Sequence, residues 1–367
     1  MSRLFQGAGI SACALLAAGL LFPGSAQAEV NFKGKTIQII APFKESGGTA
    51  RYSRLWQKYL QEYLPGKPTV LVIFKPGGSG ITGANWFEKN AKTDGTNLIA
   101  LSSSSHTSYL FGGKKVRYKM LTWRPIVLSP MGSEFYARTD IGVKGKNIVE
   151  DIKALQNADV VSGGKNPTSA ELRGYIAYDL LGLKNIKYVF GLDSGDRRKA
   201  VLRKELNLSY DTAGSFAGKS MKYVKKGVIA HFMSLGYVSA DNKLVRDPAF
   251  PNVPNVAEAY KAVYGKEPSG PAWQALKHLI YISVMSSKSL FLPAGASDEV
   301  LNTYLSTIKT IMKQPDFKKV AEKELGGYEQ TLGKEAAVQL KEAIDISPET
   351  KAWIAQFLKK KFDFNMM

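Results

Sequence analysis

The chain has 367 residues, with 50 Lys and Arg against 31 Asp and Glu, for a formal net charge of +19. This length allows two domains of ordinary size, and the positive surplus favours anionic partners. The single cysteine, Cys13, excludes an intramolecular disulfide and a zinc site built from cysteines. Because the basic residues are spread along the whole chain, we do not expect nucleic-acid binding.

Residues 1–28 have the pattern of a secretory signal peptide. Arg3 is the only charged residue among them, a mostly apolar run covers 10–22, and residues 26–28 read Ala-Gln-Ala. A small-x-small triplet after such a run is the pattern that a signal peptidase cleaves. The run is too short to span a bilayer. We therefore expect cleavage after Ala28 and a periplasmic mature protein.

The first part of the mature chain alternates β-rich runs with glycine turns and helical patterns. Apolar residues three and four apart indicate helices, and short runs rich in Val and Ile indicate strands. The predicted strands are 36–42, 69–74 and 98–101, and the predicted helices are 52–63 and 84–91. This alternation is typical of a parallel sheet with helices on its faces.

The rest of the chain repeats the pattern and then becomes more helical. The predicted strands are 160–161, 186–190, 206–211 and 279–285, and the predicted helices are 170–181, 197–204, 298–313 and 334–344. This order predicts an α/β protein of two lobes, with lobe 1 formed by 29–132 and 278–367 and lobe 2 by 133–277. Ligands of such sheets bind at the carboxyl ends of the strands, so a ligand between the lobes would close them by a hinge.

The patterns typical of enzymes are weak in this sequence. His106 follows four serines, but adjacent residues seldom form a productive serine–histidine pair. There is no G-x-S-x-G or H-E-x-x-H motif, and the G-x-G-x-x-G spacing at 78–83 lacks the acidic residue that a dinucleotide site needs. We expect no enzyme activity, no cofactor and no metal; a secreted hydrolase that uses Ser105 with a distant histidine is the alternative.

Small-residue turns precede several predicted helices. Residues 46–49 and 168–169 are two such turns. A helix N-terminus carries unpaired N–H groups and a partial positive charge, so it can bind a carboxylate; each turn is alternatively an ordinary helix cap. Basic residues near the turns favour an anionic ligand; they are Lys44, Arg51, Arg173, Arg197 and Arg198.

A collinear set of short segments resembles the periplasmic receptors of tripartite tricarboxylate transporters, the Bug family. The segments are Lys35–Phe43, Ser46–Thr49, Lys75–Gly83, Thr93–Leu98, Ser102–Thr107, Asn166–Ser169, Pro251–Glu258 and Leu292–Gly295. The resemblance implies a two-domain, hinge-bending periplasmic-binding-protein fold of type II, with the ligand cleft between the lobes. It also implies a monomeric solute receptor that delivers a small carboxylate to inner-membrane permease subunits. A co-receptor for a membrane kinase is an alternative that the sequence does not separate.

The resemblance also implies which residues bind the ligand. Carried over to this chain, the contacts are Phe43, Ser46, Gly47, Gly48, Thr49, Ser103, Ser104 and Ser105 in lobe 1, and Thr168, Ser169 and Asp211 in lobe 2. The chain departs from the family pattern at Lys44, Glu45, Ala50, His106 and the 191–198 loop. We add the hypothesis that Arg197 or Arg198 meets a second anionic group, which would favour a di- or tricarboxylate.

Overall fold

The computed structural model describes residues 30–239, 241 and 243–366, which form two mixed α/β sheets and a small two-stranded ribbon. The predicted signal peptide lies outside the described residues. The strands are β1 (Thr36–Ala41), β2 (Thr69–Phe74), β3 (Asn97–Ser102), β4 (Arg124–Ser129), β5 (Ser133–Arg138), β6 (Val160–Gly163), β7 (Ile186–Val189), β8 (Leu208–Thr212), β9 (Ile229–Ser234), β10 (Tyr237–Val238), β11 (Leu244–Val245), β12 (Lys288–Leu292) and β13 (Thr331–Leu332). The helices are α1 (Gly48–Tyr63), α2 (Ile81–Asn90), α3 (Ser103–Phe111), α4 (Ile148–Asn157), α5 (Leu172–Leu180), α6 (Ser194–Leu202), α7 (Ala213–Ser215), α8 (Met221–Lys225), α9 (Val256–Tyr264), α10 (Pro271–Ile280), α11 (Asp298–Lys313), α12 (Pro315–Leu325), α13 (Gly333–Ile344) and α14 (Pro348–Phe362).

The first sheet has the strand order β13-β4-β12-β3-β1-β2. Strands β1, β2 and β3 run parallel, and β12 lies antiparallel between β3 and β4. Helix α1 covers this sheet because its large apolar side chains recur at helical spacing, and Tyr52, Trp56 and Tyr59 are all buried. Trp56 and Tyr59 also contact the ring of Phe317 on α12.

The second sheet has the strand order β7-β6-β8-β5-β9. Strand β6 pairs in parallel with β7 and β8, whereas β5 lies antiparallel between β8 and β9. Helix α5 packs on this sheet, and ring contacts join Phe135 of β5 to Tyr178 of α5 and to Tyr210 of β8. The α/β fold class with two sheets is therefore confirmed.

Two sequence predictions of local structure were wrong. Residues 279–285 are the end of α10 and a π-helical turn, Tyr281–Met285, instead of a strand. A short buried apolar run does not distinguish strand from helix by periodicity alone, because every side chain in it is apolar. The serine-rich run at 102–107, for which no helix was predicted, forms the end of β3 and the first turns of α3.

The chain passes between the sheets at residues 130–132 and again before β12. The C-terminal helix α14 then returns to the second sheet's side, where Phe362 contacts Tyr175 and Tyr188. The end of this helix therefore packs against α5 and β7 of the second half. The lobe boundaries given above stay a prediction.

Gly132, in the first of these connections, leaves no room for a side chain. A Cβ at this position would lie 1.3 Å from Oδ2 of Asp247 and 2.9 Å from the Tyr328 hydroxyl. We expect Gly132→Ala to lower the free energy of unfolding by about 1–3 kcal/mol through overpacking, as measured by urea unfolding. Gly218→Ala is the matched control because its Cβ would meet nothing within 4 Å; equal effects of the two changes would contradict the prediction.

Candidate functional site

A cavity of about 60 Å³ lies where the strand ends of the two sheets face each other. Its walls come from both sheets and are rich in glycine, hydroxyl groups and cations. The lining residues are Phe43, Lys44, Gly47, Gly48, Thr49, Ser102, Ser103, Ser104, Lys165, Ala170, Arg173, Asp193, Ser194, Arg197, Tyr210, Thr212, Ser215 and Lys288.

The N-terminus of α1 forms one wall of the cavity. The backbone of Gly47, the N-cap residue, is extended, and its position offers no side chain to cap the helix. The first turn also carries no acidic residue. The backbone N–H groups of the first turn, from Gly48 and Thr49 onward, therefore have no side-chain acceptor from the cap. Together with the helix dipole they form a site suited to an anion.

The serine run contributes a second wall through its first residues only. The Ser103 hydroxyl donates to the Ser283 carbonyl at 2.7 Å, and Ser104 Oγ accepts from the Ala170 N–H at 3.4 Å. Ser105 does not line the cavity, and a Cβ added at Gly80 would lie 2.5 Å from its Oγ. The serines therefore form hydrogen bonds with neighbouring segments as well as lining the cavity.

His106 lies directly after these serines but contacts a different hydroxyl. Its Nε2 is 3.1 Å from Oγ of Ser289. Burial, together with the nearby Lys288 cation, lowers the pKa of His106 to about 3. His106 is fully buried and is neutral at physiological pH. Among the described residues, its side chain forms no hydrogen bond with any of the four serines that precede it.

Thr168 and Ser169 are buried beside the cavity without lining it. The backbone N–H and the hydroxyl of Thr168 donate to the Asn166 side chain, and the Ser169 hydroxyl donates to the Asn166 carbonyl at 2.7 Å and to the Glu171 carboxylate. These bonds shape the turn that precedes α5. The neighbouring residues Ala170 and Arg173 reach the cavity in their place.

Arg197 lines the cavity, but its charge is matched by Glu171. The Arg197 guanidinium donates to the Glu171 carboxylate, which also accepts from Lys165 Nζ at 2.9 Å and from the Tyr210 hydroxyl at 3.2 Å. Burial by itself would raise the pKa of Glu171, but the Lys165 and Arg197 cations outweigh it and hold this pKa far below its usual range. One buried carboxylate thus serves two cations.

Asp211 is likewise paired, and it does not line the cavity. Its carboxylate accepts from Arg198, from the Ser220 hydroxyl at 2.5 Å and from the Tyr136 hydroxyl at 3.4 Å. Arg198 therefore has a partner of its own. The charges of both arginines in our hypothesis are balanced by protein carboxylates.

Lys288 and Arg173 are the buried cations of the cavity for which the described residues provide no carboxylate partner. Arg173 donates to Ser133 Oγ at 2.8 Å, but its Nε and Nη1 are buried without a hydrogen-bond partner. Lys288 is only 6% exposed. Burial, and the neighbouring cations Lys165, Arg173 and Arg51, lower the pKa of Lys288 to about 7.

Sequence reasoning missed Lys288 because it did not identify β12 as a strand. The signal was a lysine two residues before the apolar run of residues 290–292. Arg173 was recognised only as one of several basic residues near a turn. Whether a cation is buried without a carboxylate partner depends on the tertiary structure, so the sequence pattern does not reveal it.

Contacts between side chains of the two halves surround the cavity. Lys44 Nζ lies 3.5 Å from the Asp196 carboxylate, Arg51 donates to Ser215 Oγ at 2.6 Å, and the Asn166 amide donates to Ser79 Oγ at 2.8 Å. A Cβ at Gly195 would lie 3.9 Å from Oγ of Ser46, so Ser46 faces the second half without lining the cavity.

Among the described residues, no group of acidic, histidine or cysteine side chains is arranged to hold a metal, and no helix has the length and apolarity to cross a bilayer.

The sequence matches no protein-family model and no curated protein sequence. The fold, in contrast, is similar to those of solved periplasmic receptors. The periplasmic binding protein BugD shares 19% identity over 89% of this chain and 97% of its own, with a TM-score of 0.64. The TctC solute-binding protein from Polaromonas shares 17% identity over 89% and 100%, with a TM-score of 0.59. MatC from Rhodopseudomonas palustris, solved with bound malate, shares 16% identity over 87% and 97%, with a TM-score of 0.62.

Proposed function

We propose that the protein, whose two-lobed α/β fold is that of periplasmic binding proteins, is a solute-binding protein of the TctC and Bug type. In this proposal it captures a small carboxylate in the periplasm after cleavage of residues 1–28 and passes it to the permease subunits of a tripartite transporter. The observation that carries the proposal is the meeting of an uncapped helix N-terminus with buried cations in one cavity. The malate in MatC supports a carboxylate as the ligand.

The chemistry of the cavity fits capture without reaction. A carboxylate accepts hydrogen bonds from N–H groups at the start of α1, which carry a partial positive charge. Thr49 and Ser104, which both carry hydroxyl groups, line the same cavity. The base that a serine nucleophile requires would have to reach its hydroxyl at about 3 Å, whereas the imidazole of His106 contacts Ser289.

The proposal predicts that small organic acids stabilise the protein. A ligand present at about 100 times its dissociation constant adds about 2.7 kcal/mol of apparent stability. Thermal unfolding should be measured with acetate, lactate, succinate, malate and adipate, followed by titration calorimetry for the acids that raise Tm.

A cavity-filling variant gives the control for specific binding. Gly48→Val adds a branched side chain at a position where even a Cβ would lie 3.9 Å from Nζ of Lys288. The side chain of Gly218→Val would project into open space. The first change should abolish the ligand-induced rise in Tm and the second should retain it. The proposed function is wrong if no organic acid raises the Tm of the folded protein.

A further inference from the structure

Lys288 is held in the cavity by the sheet that carries it. It begins β12, where its Cα pairs with Ser102 of β3 on one side and Ser129 of β4 on the other. Its Nζ lies 3.9 Å from the position of a Cβ on Gly48, the first residue of α1. The ammonium group and the α1 N-terminus therefore face the same small space, and none of the residues that the structure describes accepts a hydrogen bond from that ammonium.

The charges around Lys288 do not balance within the protein. Lys165 and Arg197 share Glu171, which leaves one positive charge over, and Arg173 has no carboxylate partner. Arg51 is offset by Glu324, whose carboxylate lies 3.8 Å away and shares a smaller neighbouring cavity with Lys288. His106, close enough to Lys288 for their charges to interact, is neutral. Lys44 is matched by Asp193, which also lines the cavity, and by Asp196. The cavity thus holds an excess of about two to three positive charges when Lys288 is protonated.

A buried charge that has no partner is unfavourable, and an opposite charge that enters the site removes this cost. A monoanion would leave one of the two cations Lys288 and Arg173 uncompensated. A trianion would bring one more negative charge than Lys288 and Arg173 together can match. The ligand that matches the charge of these two cations in a cavity of about 60 Å³ is a compact dianion.

We infer that Lys288 and Arg173 together determine the charge of the ligand, so that the cavity selects a compact dianion over a monoanion of the same shape. This inference rests on the proposed function and goes further by naming the ligand's charge and the two residues that set it. A short dicarboxylate and a tetrahedral oxyanion share this chemistry, so both are included in the test.

The test compares probes of equal shape and different charge. Dissociation constants should be measured by titration calorimetry for succinate, for its monoamide succinamate, and for inorganic phosphate and sulfate. The wild-type protein should bind succinate at least about 30-fold more tightly than succinamate. Tighter binding of phosphate or sulfate than of succinate would identify a tetrahedral oxyanion as the preferred dianion. It would still support the inference that the cavity selects a dianion.

Lys288→Met tests whether this residue sets the preference. It should reduce the preference for succinate over succinamate to about threefold or less, mainly by weakening succinate binding. Affinity for succinate should also fall as pH rises from 7 to 9 in the wild type and stay nearly constant in the variant, because only a protonated Lys288 matches the second charge. Lys261→Met is the matched control, since Lys261 is exposed, pairs with Glu267 at 2.6 Å and does not line the cavity.

The outcomes separate the inference from the proposed function. If organic acids bind but Lys288→Met leaves the preference for succinate unchanged, the charge inference is overturned and the receptor assignment stands. If Lys261→Met reduces the preference as much as Lys288→Met does, the effect is one of general surface charge and the inference fails as well. If none of the acids or oxyanions binds, both proposals are wrong. Circular dichroism should show that each variant is folded before binding is measured.

Discussion

Glu171→Gln is expected to lower the free energy of unfolding by about 3–5 kcal/mol, the cost of removing one partner from a buried ion pair. Glu171 is 1% exposed, and its carboxylate accepts from both Lys165 and Arg197. Without it, these two cations would lie near Arg173 and Lys288 with no ion-pair partner among the described residues. The change should be measured by urea unfolding at pH 7.

The same prediction has a defined pH dependence. The pKa of Glu171 is far below that of an unfolded glutamate, so its stabilising effect is complete above about pH 5 and is lost as the pH falls further. The difference between wild type and Glu171→Gln should therefore be constant from pH 5 to 8 and shrink below about pH 4. Glu205→Gln is the matched control, because Glu205 pairs with Arg203 on the surface, where such a pair contributes about 0–1 kcal/mol. A loss in Glu171→Gln no larger than in this control would contradict the role of Glu171.

Lys288→Met is expected to stabilise the unliganded protein by roughly 2–4 kcal/mol at pH 6, even though it weakens ligand binding. Burial lowers the pKa of Lys288 from 10.5 to about 7, and each unit of pKa shift corresponds to about 1.4 kcal/mol. Methionine retains most of the side-chain length and removes the buried charge. A gain in stability with a loss of binding is the behaviour of a residue kept for function.

The sign of the pH dependence distinguishes this explanation from a simple packing effect. Between pH 7 and about 10.5 the unfolded chain binds one more proton at Lys288 than the folded protein does, so this group makes wild-type stability rise with pH. The advantage of Lys288→Met should be largest at or below pH 7 and fade towards pH 10. Lys44→Met, at an exposed position, should change stability by less than about 0.5 kcal/mol. A Lys288→Met protein that is less stable than wild type at pH 6 would refute the prediction.

The expected behaviour of Glu171 and Lys288 depends on their different surroundings. Glu171 is a carboxylate buried between two cations, whereas Lys288 is a cation buried near other cations. Glu171 therefore stabilises the folded state, and Lys288 destabilises it until an anion binds. Both residues are nearly inaccessible to solvent, so salt should screen their interactions less than it screens the surface pairs.

The sequence by itself determined the alternation of strands and helices in both halves. The runs at 36–42 and 69–74 became β1 and β2, and the helical pattern before Tyr63 became α1, because local periodicity decides which side chains face a core. The glycine-rich turn before α1 was also recognisable, and the structure places Gly47 and Gly48 at the cavity. That these residues bind the ligand remains a prediction.

Only the tertiary structure decided which cations have partners. The cations of the cavity come from separate segments of the chain. Glu171 pairs with Lys165 and Arg197, whereas Arg173 and Lys288, which α5 and β12 bring to the same cavity, have no carboxylate partner among the described residues. An electrostatic partner is defined by distance and burial, and neither is encoded in the local pattern around a residue. For the same reason, the sequence indicated an anionic ligand from net charge and helix starts, but it directed attention to Arg197 and Arg198, whose charges the fold already neutralises.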